Sequence, residues 1–150
     1  ISCGRQRLFK PRNKKVNDPF CLKINDEHIE FVNCIKILGV LFSQDMSWNA
    51  HIDYVQAKLS KSVGLITKFK TVLPTHIKLT IYKSSVCSHL NYCNLIWGTT
   101  TKTNLTKLHL LQKKAVRAIS SVPSLHPTES LFKALNVKTI QKIYAFKLLT

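Results

Sequence analysis

The spacing of apolar residues changes at Ser47 from a period of two to a period of 3.6, and this one change constrains the fold more than any motif. Downstream of it, Ile52, Val55, Leu59, Val63 and Ile66 fall within a narrow arc of a helical wheel, with Lys58, Lys61 and Lys68 on another side. That predicts a helix of about six turns ending near Leu73-Pro74. A second helix is expected from about Thr75 to "NLIWG", with Gly98 as its stop. A third, Asn104 to Ser120, sets the stripe Leu105, Leu108, Leu111, Ala115 and Ile119 against Lys107, Lys113, Lys114 and Arg117. Two shorter helices, "ESLFKALN" and "IQKIYAFKLL", follow the loop "SVPSLHP".

Upstream of Ser47 the period is two. Residues 1–19 are basic, hold two prolines and predict a short strand running into an exposed turn. "FCLKIN", "DE" and "HIEFVN" predict a hairpin in which Phe20, Leu22 and Ile24 alternate, as do Ile29, Phe31 and, less cleanly, Asn33. "IKILGVLF" predicts a third strand, apolar on both faces. Gly39 within it marks a bulge or a close approach by another backbone or a ligand. The expected class is α+β: a small antiparallel β element over 1–46, then a helical bundle over 47–150. There is no internal repeat, and both ends of the sequence read as cut.

Charge divides the chain the same way. Residues 1–53 hold eight Lys and Arg against six acids, whereas residues 54–150 hold fifteen against Glu129 alone. Such a field attracts polyanions, nucleic acid first and anionic membrane second. A membrane partner is not expected, because the lysines are spread over several helices and no apolar run reaches the roughly 20 residues of a span. Lysines opposite an apolar stripe are often plain solvated surface; here the glutamates that normally intersperse such a surface are missing. Trp48, Tyr54, Tyr82, Tyr92, Trp97 and Tyr144 are read first as packing residues.

Chemistry is sparse. The four glycines are unpaired, which excludes a glycine-rich phosphate loop, and neither G-x-S-x-G nor H-E-x-x-H occurs. Six histidines are dispersed, and Asp53 reads as a favourable charge near a helix start. Five scattered cysteines predict reduced thiols in a cytosolic or nuclear protein. Cys87, His89 and Cys93 lack a C-x-x-C pair and a fourth ligand, so no metal site is expected.

The ordered segments "IKILGVLFSQDMSWNAHIDYV", "KLSKSVGLITKFKTVLP", "LTIYKSSVCSHLNYCNLIWG", "LTKLHLLQKKAVRAI" and "LFKALNV" resemble the reverse transcriptase of non-LTR retrotransposons, from about residue 20 onward. The resemblance implies an RNA-directed DNA polymerase, of which 1–46 is the palm edge and 47–150 the thumb, truncated at its C-terminus. Leu38, Gly39 and Val40 would then lie in a hairpin, the primer grip, that contacts or supports the primer end. Lys58, Lys61, Lys68, Lys107, Lys113, Lys114 and Arg117 are the candidates for contact with the nucleic-acid backbone. The implied partners are an RNA template, a DNA primer and the rest of the polypeptide, in the cytoplasm and nucleus. Magnesium is implied for the parent enzyme, but the family's Phe/Tyr-Ala-Asp-Asp turn has no counterpart here. No catalytic residue and no cofactor are therefore expected in this segment. The alternative is a non-catalytic, basic helical module that binds RNA or DNA.

Overall fold

The computed structural model describes residues 32–149 and, before them, the backbone pairing of two short strands, β1 (Lys23–Ile24) and β2 (Glu27–His28). They run antiparallel, with Ile24 opposite Glu27 and Lys23 opposite His28. A hairpin forms where expected, but Glu27 lies in a strand and not in the turn. The strand and turn expected in 1–19 fall outside the described residues, as does the facing of the side chains of Phe20, Leu22, Ile24, Ile29 and Phe31.

The run at 35–42 is not one strand. It folds back as β3 (Cys34–Ile37) and β4 (Val40–Ser43), paired from Ile37 with Val40 out to Cys34 with Ser43. Leu38 (φ 46°) and Gly39 (φ 83°) make a two-residue turn with both residues at positive φ, whose twist matches that of the flanking strands. The hairpin implied by the resemblance is formed, and Gly39 sits in its turn, not at a bulge within a single third strand. A Cβ at Gly39 would touch only Tyr92, at an ordinary 3.6 Å, so the backbone angle and not the space calls for glycine. Leu38 lacks that freedom. The Tyr92 hydroxyl donates to its carbonyl at 2.5 Å and pins the turn.

Helix α1 (Asn49–Lys68) buries all five predicted stripe residues and ends short of Leu73. The chain then runs as a rod from Thr75 to Asn91: α2 (Thr75–Ile81), a π-helical segment (Tyr82–Cys87) and α3 (Ser88–Asn91). Lys78, Tyr82, Val86 and Leu90 are all buried along it. In a regular α-helix, residues four apart drift by about 40° per step. The wider π turn lets the series stay on the core side. Ser84 and Ser88 favour it by donating to the carbonyls of Ile81 (3.1 Å) and Ser84 (2.6 Å), diverting them from the regular ladder.

The second helix was expected to continue to Trp97, but it breaks. Tyr92 is extended (ψ 121°) and Cys93 left-handed (φ 47°), which turns the chain into α4 (Asn94–Trp97). Gly98 ends α4 where a Cβ would strike the Asn94 carbonyl and the Tyr144 ring. The remaining helices are α5 (Lys102–Ile119), α6 (Glu129–Ala134) and α7 (Ile140–Leu148), close to their expected positions.

Contacts along their length show that α1 and α5 run parallel. Asn104 donates to the Asn49 side chain (2.8 Å) at one end, and Lys70 donates to the Val122 carbonyl (2.9 Å) beyond the other. The rod runs antiparallel to both, giving a three-helix core closed by Trp97, Ile140 and Ile143. Where α1 and α5 finish, the buried Lys78 ammonium donates to the Lys70 carbonyl (2.9 Å), the Ser121 hydroxyl (2.9 Å) and, more weakly, the Ala118 carbonyl (3.5 Å). Helix C-termini favour a cation. Burial, with Lys70 beside it, still holds Lys78 below the usual lysine range.

His51 ties the β3–β4 hairpin to α1. Its Nδ1 accepts from the Leu41 amide (3.3 Å), and its ring lies between Tyr54 and Trp97. The acceptor role requires neutral imidazole, and burial lowers its pKa accordingly. The unfolded chain takes up that proton near pH 6.5 and the folded chain only at lower pH. Stability is therefore complete above about 6.5 and is lost as pH falls toward the folded value. Melting temperature should drop between pH 7.5 and 5. His51→Gln should reduce the drop without removing it, because burial lowers His109 in the same direction.

Candidate nucleic-acid interface

Opposite its buried stripe, α1 carries Tyr54, Lys58, Lys61, Leu65 and Lys68 at three- and four-residue spacing, which stacks them on one face. The three lysines are exposed. At the hairpin end the Tyr54 ring is flanked by Lys36 from β3, with Nζ 4.8 Å from the ring centre and 3.4 Å from the hydroxyl, and by Lys58 at 5.6 Å. Lys36 thus extends the cationic stripe. Nothing in the sequence signals this, because the contact joins a strand to a helix 18 residues later.

The cations of α5 do not form one face. Lys107 and Lys114 project toward α1: Lys107 pairs with Asp53 (3.7 Å), and Lys114 lines a small recess with Thr67 and Lys70. Both sides of the Lys107 pair are solvent-exposed, so it adds little stability. Arg117 is partly committed, its Nε donating to the His126 carbonyl at 2.8 Å. Lys113, about 100° around the helix from Lys114, faces the other way and lines a separate cleft. On α1, Lys58, Lys61 and Lys68 share one face with Tyr54 and Lys36, while Lys107 and Lys114 lie along the border where α5 meets α1, with Arg117 beside them. The structure sets Lys113 apart.

At the hairpin tip the three grip candidates differ in exposure. Leu38 is 85% exposed, Gly39 is half-buried and Val40 is 2% exposed. Val40 can support the turn but cannot touch a ligand.

Among the described residues no three His, Cys, Asp or Glu side chains gather where a metal ion could sit. Asp45 accepts from the Ser47 amide (3.1 Å) and Asp53 pairs with Lys107, so the carboxylates among the described residues do not form a set that fits magnesium. Among the same residues no helix is long and apolar enough to cross a membrane.

Three curated relatives show what the chain is similar to. It is 28% identical over 120 residues to the RNA-directed DNA polymerase from mobile element jockey of Drosophila melanogaster, a match covering 77% of this chain and 13% of the relative. Against the protein of the same description from Drosophila funebris it is 29% identical over 123 residues, 78% of this chain and 13% of the relative. A probable RNA-directed DNA polymerase from transposon X-element of Drosophila melanogaster is 26% identical over 112 residues, 72% of this chain and 12% of the relative. The curated relatives are RNA-directed DNA polymerases of non-LTR retrotransposons, the group whose segments the sequence resembles. The chain spans only 12–13% of their length. No family model and no solved structure matches it.

Proposed function

We infer that this chain is the part of a retrotransposon RNA-directed DNA polymerase that holds the RNA–DNA duplex, with 1–46 as the edge of the palm and 47–150 as the thumb. The observation that carries the reading is the α1–α5 surface, where Lys36, Lys58, Lys61, Lys68, Lys107 and Lys114 face solvent with Asp53 as the carboxylate among them. Parallel helices keep these charges in fixed register, as contact with successive phosphates requires. Phosphate contacts position a duplex without reading its bases.

In this reading the Leu38-Gly39 turn lies toward the primer end, with Val40 anchoring it from beneath. The metal-holding carboxylates, and magnesium with them, belong to the remainder of the polypeptide, so no chemical step passes through the residues described here. The working compartments would be those of template and target, cytoplasm and nucleus. The second reading, a nucleic-acid-binding module without catalysis, draws on the same surface and on the absence of a carboxylate cluster among the described residues.

Titration of the chain with RNA–DNA hybrids across a range of salt concentrations tests the reading. Six phosphate contacts at roughly 0.7–0.9 each give an expected slope of log K against log salt of about −4 to −5. Hybrids of unrelated sequence should bind alike. A slope near zero, or binding confined to one sequence, would count against it.

A further inference from the structure

A second cationic feature lies around α5 from the first. A cleft of about 560 Å³ opens between α5, α6 and α7, lined by Lys113, Lys133, Lys138 and Lys142 with one carboxylate, Glu129. Among the described residues none of these lysines is ion-paired. The first amides of α7 are partly used, Ile140 N by the Gln112 side chain (2.9 Å) and Lys142 N by the Thr139 hydroxyl (3.4 Å), so the lysine side chains carry the cleft's charge. On its wall His109 stacks on Phe132, 5.9 Å between ring centres and 19° between planes.

Shape separates this cleft from the α1–α5 surface. A duplex is convex and broad and meets a helix pair across its outside. A concave space of this volume matches a single small-molecule-sized group. Cations combined with a flat ring on the wall are the combination by which unpaired nucleotides are held, phosphate to cation and base to ring. Lys113 is next to Lys114 in sequence but lies about 100° around α5 from it, so the cleft and the duplex surface occupy different sides of the same helix.

We propose that the α5–α6–α7 cleft binds an unpaired nucleotide of the strand that continues beyond the duplex, its phosphate on Lys133 and Lys142 and its base against His109. This rests on the duplex-binding reading for its continuity, but the two can fail separately. The test compares a blunt RNA–DNA hybrid, the same hybrid with a single-stranded extension, and a single-stranded oligonucleotide alone. Each is titrated against the 150-residue chain and against Lys133→Gln/Lys142→Gln. Both substituted lysines are exposed, so the fold should survive, and circular dichroism checks this.

The extended hybrid should bind the unsubstituted chain more tightly than the blunt one. In the double variant that gain should vanish, the salt slope for the extended hybrid falling by about 1.4, two contacts at roughly 0.7 for a single strand. Blunt-hybrid affinity should stay unchanged. An extension that adds nothing, or whose gain survives the double substitution, overturns the proposal while leaving the duplex surface intact. If the blunt hybrid fails to bind but the oligonucleotide binds and is lost in the variant, the cleft stands and the duplex reading falls. Inorganic phosphate that binds the cleft without any effect of the extension would make it a phosphate site only, and would also overturn the proposal.

Discussion

Gln112→Ala should destabilise the fold by about 3 kcal/mol, lowering its melting temperature by roughly 10 °C. Gln112 is fully buried and joins three elements. Its amide donates to the Tyr82 hydroxyl (3.1 Å) in the π-helical segment and to the Lys138 carbonyl (3.3 Å), while its carbonyl accepts from the Ile140 amide (2.9 Å) at the start of α7. Truncation removes all three hydrogen bonds at once, two of them buried and the one to Lys138 part-buried. Each buried orphan costs about 1–3 kcal/mol, with partial relaxation reducing the sum. A specific coupling follows: Tyr82→Phe removes one of the buried orphans, so its cost should shrink in the Gln112→Ala background. A double-mutant cycle by denaturant unfolding measures this. Simple additivity, or a loss below about 0.5 kcal/mol for Gln112→Ala, would mean that α7 is held by its apolar contacts alone.

Neither Gln112 nor Lys78 is legible as a buried residue. Both are polar side chains of types usually found at the surface, and their partners lie between 8 and 43 residues away. What the sequence does carry is the class and the main helices. The α1 stripe is readable because its five apolar residues repeat at helical spacing and every one is buried. The third helix is readable for the same reason, with Leu108, Ala115 and Ile119 in the core and Leu105 and Leu111 packed at its margin.

The failures have a common cause. At 35–42 a mostly apolar run, broken by Lys36, shows the turn only through the family resemblance and not in its own pattern, because a leucine at positive φ is not a residue that two-residue hairpins usually select. Tyr92, 54 residues away, supplies the compensating hydrogen bond. A valine at Gly39, which would suit a strand, is therefore strained in the turn actually formed. The same Tyr92 and Cys93 interrupt the second helix, where hydrophobic spacing continues without a visible stop. Local pattern cannot register a conformation enforced from another element.

The candidate surface was half legible. A wheel for α1 groups Lys58, Lys61 and Lys68 correctly. A wheel for α5 places Lys107, Lys113, Lys114 and Arg117 together as outward cations, yet only the positions of its neighbours decide that Lys107 and Lys114 join α1 while Lys113 joins the cleft. Arg117 turns out to brace the loop at His126.

The central claim is that the α1–α5 surface, and not the chain's charge in general, holds the duplex. The most direct measurement is the salt dependence of RNA–DNA hybrid binding by Lys58→Gln/Lys61→Gln/Lys68→Gln/Lys114→Gln, set beside the unsubstituted chain. All four side chains are exposed, so the melting temperature should be nearly unchanged. The slope of log K against log salt should become shallower by about 3, four phosphates at roughly 0.7–0.9 each, with a large loss of affinity at low salt. An unchanged slope and affinity in a folded variant would contradict the account and leave these lysines as ordinary solvated surface.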